Sequence, residues 1–72
     1  MVESSLMIVT LNGEERGVPD GMTVRELLDH LSLSDGPVAV EINRGIVPRA
    51  EHASRPVEAG DSIEIVHLVG GG

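Results

Sequence analysis

Apolar and polar residues fall along this chain in short blocks, most of them bounded by turns containing glycine, asparagine or proline. Leu6 to Leu11 is an almost unbroken apolar run with β-branched residues inside it. That pattern predicts a strand buried on both faces and therefore inside its sheet. Asn12-Gly13 follows, the pair best suited to a two-residue hairpin because both turn positions need positive φ. The return strand is Glu14 to Val18, mostly polar and solvent-facing. After a turn at Pro19-Asp20-Gly21, Thr23 and Glu26 stand at capping-box spacing. Val24, Leu27, Leu28 and Leu31 then make one apolar helical stripe, which Ser34-Asp35-Gly36-Pro37 is expected to end.

Val38, Val40 and Ile42 alternate with Ala39 and Glu41, a half-buried strand closed by a turn at Asn43-Arg44-Gly45. Ile46-Val47 is a short extended piece that Pro48 confines to a sheet edge. Arg49 to Pro56 is polar and irregular, with room for one helical turn. Glu58-Ala59-Gly60-Asp61 turns the chain into a clear strand, Ser62 to Val69, and the sequence ends in Gly70-Gly71-Gly72. The order β-β-α-β-(short β)-β, with no repeat or linker, predicts a single α+β domain over residues 1–72 with a glycine tail at 70–72. First and last strands of equal apolarity suit the sheet centre. Their parallel pairing, with the helix across the sheet, is the β-grasp (ubiquitin-like) arrangement.

Composition narrows the function classes. Five arginines, no lysine and twelve acidic residues give a net charge of −7, which argues against nucleic acid and anionic membranes as partners. With no cysteine and no aromatic residue, a disulfide framework, a thiolate metal site, a cysteine nucleophile and base stacking are all excluded. No apolar run approaches the roughly 20 residues of a spanning helix. Met1 to Ser5 lacks the basic-then-apolar order of a signal peptide, so a cytoplasmic setting is expected. No nucleophile, catalytic base or metal constellation marks the domain as an enzyme.

The terminal glycines are the candidate chemical group. Bare backbone enters a tunnel too narrow for side chains. Three extended residues place an α-carboxylate roughly 10 Å from the domain. A carboxylate is a poor electrophile, but joined to AMP it becomes an acylating agent open to a sulfur or an amine. The absence of lysine leaves only the N-terminal amine to attack such a group from the same molecule.

The chain resembles the ThiS-type sulfur carriers of thiamine biosynthesis over nearly its whole length. Four stretches carry the likeness: Leu11-Asn12-Gly13-Glu14 with Pro19 to Val24; Val38 to Asn43 with Ile46-Val47-Pro48-Arg49; Gly60 to His67; and Val69-Gly70-Gly71-Gly72. The resemblance implies a protein co-substrate rather than an enzyme. Its Gly72 would be adenylated by a ThiF-type adenylyltransferase using ATP and magnesium, with no cofactor bound to the carrier itself. A sulfur donor enzyme would convert the adenylate to a thiocarboxylate, and a ThiG-type thiazole synthase would receive the sulfur. Gly71 and Gly70 would form the thread needed for activation. The small subunit of molybdopterin synthase, other ubiquitin-like sulfur carriers, and a partner-binding or conjugated modifier are the alternatives. Possible partner contacts are Leu68 and Val69 as a small apolar dock, His67 as an exposed strand position, and Glu41 and Glu64 as an acidic sheet face. His30 and His52 are expected on the surface, without metal-ligand partners.

Overall fold

A computed structural model describes residues 5–34 and 36–68. Five strands, one α-helix and a 3-10 turn follow in the order β1 Leu6–Leu11, β2 Glu14–Pro19, α1 Val24–His30, β3 Val38–Ile42, β4 Gly45–Val47, the turn Arg49–Glu51, and β5 Ser62–His67. The strands form one mixed sheet in the order β2-β1-β5-β3-β4. β1 and β5 run parallel, with Thr10 opposite Ser62 and Leu11 opposite Ile63. The expected β-grasp arrangement is therefore present, with β5 in the middle and β1 beside it.

All of the core lies on one side of the sheet. Met7, Val9, Leu11, Val18, Val40, Ile42, Val47, Ile63 and Ile65 meet Val24, Leu27 and Leu28 of the helix, and Val57 closes the layer. The expectation that β1 is buried on both faces is incorrect. Burial alternates along it, leaving Leu6 and Ile8 exposed at 67% and 54%. One helix covers one face only, and no second layer among the described residues covers the other.

Two hairpins flank β5, and both begin their turns with asparagine. Asn12 and Gly13 have φ of 50° and 86°, as the Asn-Gly signal requires. In the second turn the left-handed residues are Asn43 and Arg44, at 52° and 71°, while Gly45 already belongs to β4. Each asparagine amide then reaches β5. Asn12 Oδ1 accepts from the Ile65 N–H at 2.8 Å, and its Nδ2 donates to the Ile65 carbonyl at 3.2 Å. Asn43 Oδ1 accepts from the Ser62 N–H at 3.0 Å, and its Nδ2 donates to Asp61 Oδ1 at 3.1 Å. The other Asp61 oxygen accepts from the Glu58 N–H at 2.8 Å, fixing the turn that leads into β5.

The helix opens with the expected capping box: the Glu26 N–H donates to Thr23 Oγ1, and Thr23 N–H donates to Glu26 Oε1. The loop after the 3-10 turn satisfies two more of its free amides, from Val24 to the Arg55 carbonyl and from Arg25 to the His52 carbonyl. The helix stops at His30, earlier than the Ser34-Asp35-Gly36-Pro37 signal suggests. Leu33 N–H donates to the Leu28 carbonyl and Ser32 N–H to that of Asp29. This is a Schellman ending with Ser32, at φ 60°, where glycine is usual.

Asn12→Gly keeps the turn conformation but strips both bonds to Ile65. It is expected to cost about 1–3 kcal/mol, because two backbone groups of β5 lose their partners. The check is urea unfolding. An unchanged midpoint would show that the Asn12 amide does not hold β5.

Candidate functional site

The site is the end of β5 and its surroundings, since that strand delivers the chain to its glycine tail. Val69, Gly70, Gly71 and Gly72 lie outside the described residues. His67 is the last residue of β5, exposed and opposite Val38. Leu68 is half exposed and donates its N–H to the Pro37 carbonyl at 2.9 Å. The last described residue is thus tied to the start of β3.

Glu41 and Glu64 stand directly opposite each other on β3 and β5. They lie on the face away from the helix, because their neighbours Val40, Ile42, Ile63 and Ile65 are the buried ones. Ala39 is paired with Val66, and Ile46 of β4 is paired with Glu41. Val66 and Ile46 are exposed at 55% and 76%. The open face of the sheet therefore carries two carboxylates set among apolar side chains. Like charges directly opposite on a sheet destabilise it, so this pair works against the fold.

On the helix side a cleft of about 310 Å³ opens beside Leu68. Arg25, Arg49, Ser34 and His52 line it with Leu28 and Pro37, among others. His52 corrects the expectation of a surface position: it is 7% exposed, and its ring Nε2 donates to the Val47 carbonyl at 3.1 Å. The 3-10 turn folds the ring inward, a placement that no local pattern around His52 announces. His30 is exposed as expected. Among the described residues, no group of three or more His, Asp or Glu is arranged to hold a metal ion. No described helix is long and apolar enough to cross a membrane.

A family model described as the ThiS family matches residues 9–72. The chain belongs to the ThiS family. It is 46% identical over 66 residues to a thiazole synthase of Paramagnetospirillum magneticum, a match covering 92% of this chain and 20% of that protein. The chain thus spans a fifth of that relative's length. The sulfur carrier protein ThiS of Escherichia coli is 35% identical over 66 residues, covering 92% of this chain and all of the relative. Among solved structures, the thiamine biosynthesis protein ThiS of Geobacter metallireducens superimposes with a TM-score of 0.77 at 34% identity, over 92% of this chain and all of that one. That likeness agrees with the fold observed here, including the parallel β1–β5 seam at the heart of this ThiS-family sheet.

Glu41→Gln removes one charge of the opposed pair. It is expected to raise the unfolding free energy by about 0.2–1 kcal/mol at low salt, with the gain shrinking as salt is added. Denaturant unfolding at two ionic strengths checks this. A loss of stability would show that Glu41 has a favourable partner.

Proposed function

We propose that this chain is a sulfur carrier for thiazole formation in thiamine biosynthesis, a protein co-substrate on which partner enzymes act. The observation that carries the reading is a glycine run beginning two residues beyond Leu68, the residue hydrogen-bonded to Pro37 at the end of the sheet's central strand. A rigid handle with a bare thread suits chemistry performed inside another protein. Full coverage of a relative named as a sulfur carrier supports the reading.

The chemistry follows from the carboxyl group. A Gly72 carboxylate oxygen attacks the α-phosphorus of ATP within an adenylyltransferase of the ThiF type. Pyrophosphate leaves, with magnesium balancing the phosphate charge. Sulfide supplied by a donor enzyme then attacks the acyl carbon of the mixed anhydride, forming the C–S bond, expelling AMP and losing its proton. The product is a thiocarboxylate on Gly72. Gly71 and Gly70 let the backbone enter a narrow channel. A cytoplasmic setting, where ATP is available, suits this activation.

A thiazole synthase of the ThiG type is the proposed acceptor. In the Paramagnetospirillum magneticum relative, a segment like this chain is part of a longer protein named thiazole synthase. Carrier and synthase in one polypeptide suit a direct hand-over. The open sheet face, with Glu41, Glu64, Ile46 and Val66, offers acid and apolar surface to such partners, and the charge of −7 steers the carrier toward a basic one.

The test is the intact mass after incubation with the activating enzyme, ATP, magnesium and a sulfur source. The expected gain equals sulfur minus oxygen, and deletion of Gly72 abolishes it. A wild-type chain that stays unmodified beside an enzyme active on another carrier would overturn the proposal.

A further inference from the structure

The described residues that line the helix-side cleft carry charge opposite to the net charge of the chain. Twelve acidic residues surround five arginines in this sequence, yet two of the five, Arg25 and Arg49, line this one cleft. Among the described residues lining it there is no carboxylate; Asp35, between the lining residues Ser34 and Gly36, lies outside the described residues. The Ser34 hydroxyl adds a hydrogen-bond donor. Leu28, Pro37, Val38, Ala53 and Leu68 give it an apolar wall, and Gly36 and His52 complete the lining.

The local fold holds this arrangement together. The Arg25 N–H donates to the His52 carbonyl at 2.8 Å, joining the helix start to the segment that carries Arg49. His52 is fixed in turn on the Val47 carbonyl. Both arginine side chains stand at exposed positions, so they project from a braced wall.

We propose that this cleft is a docking site for a single acidic side chain of the activating adenylyltransferase, a glutamate whose methylenes lie along the apolar wall and whose carboxylate meets Arg25 and Arg49. The inference rests on the carrier reading above. Its geometric basis is reach. Four residues follow Leu68, and fully extended they span at most about 14 Å. An enzyme that acts on Gly72 must therefore bring its body against the end of β5, where Leu68 lines the cleft. Charge complementarity selects the occupant, since arginines pair best with carboxylates in a partly desolvated pocket. The acidic bulk of the carrier draws it to a basic partner surface. One inverted contact beside the tail then fixes the orientation in which the thread enters.

The test measures pyrophosphate release by the activating enzyme as a function of carrier concentration. For the Arg25→Gln/Arg49→Gln variant, kcat/KM is expected to fall about tenfold or more while kcat stays within about twofold, the signature of lost docking rather than lost chemistry. Arg49→Lys keeps the charge and is expected to retain most of the wild-type kcat/KM. Arg16→Gln, on the far edge strand, is the control. Urea unfolding verifies that each variant is folded. An unchanged kcat/KM in the double variant, a fall no larger than that of Arg16→Gln, or a fall confined to kcat would each overturn the docking site. A wild-type chain that releases no pyrophosphate overturns the carrier reading itself, and the cleft's role with it.

Discussion

Two asparagine side chains hold the central strand of this sheet. Asn12 and Asn43 each open a hairpin turn in a left-handed conformation, and each turns its amide onto β5 from opposite sides. The parallel seam between β1 and β5 is short, with Thr10 and Leu11 facing Ser62 and Ile63. The Asn12 amide extends it by pairing both backbone groups of Ile65, beyond the last residue of β1. Without it those groups would lack partners on that side, since β1 has already turned. Asn43 and Asp61 perform the same service at the strand's beginning.

The consequence reaches function through stiffness. Ile63 is fully buried and Ile65 nearly so. β5 is flanked by β1 and β3, and Leu68 is bonded to Pro37 just beyond its end. The hydrogen bonding continues to Leu68, the last described residue. A reactive group on a thread gains nothing from catalytic machinery in its own domain, but it gains from an entry point that is fixed. The two surfaces near that point differ in kind. The sheet face presents opposed carboxylates among apolar side chains, and the helix side presents arginines around a cleft. A partner that gripped both would hold the carrier in one orientation.

Much of this was legible in the sequence. The Asn-Gly hairpin, the Thr23–Glu26 capping box, the helical stripe and the edge position of β4 are local signals, and each agreed with the global fold. What local pattern could not convey was decided by distant parts of the chain. An apolar run such as Leu6 to Leu11 does not say whether a second layer exists to cover it. Ser32 occupies a left-handed position that glycine usually marks, so the true helix end carried no signal, whereas the turn that holds Arg44 was announced by Asn43 and Gly45 on either side of it. His52 is buried because the 3-10 turn folds it inward beneath Arg25, a tertiary placement. The asparagine clamps span 53 residues in one case and 19 in the other, beyond the reach of periodicity.

The most direct test of this account is native-state hydrogen exchange read along β5. The amides of Ser62 and Ile65 donate to asparagine side chains and that of Leu68 to Pro37, so all three are predicted to open only with global unfolding, as slowly as the most protected amides of α1 and β3. Exchange of Ile65 and Leu68 through local fraying, far faster than those core amides, would contradict the claim that a clamped central strand presents the tail from a fixed point.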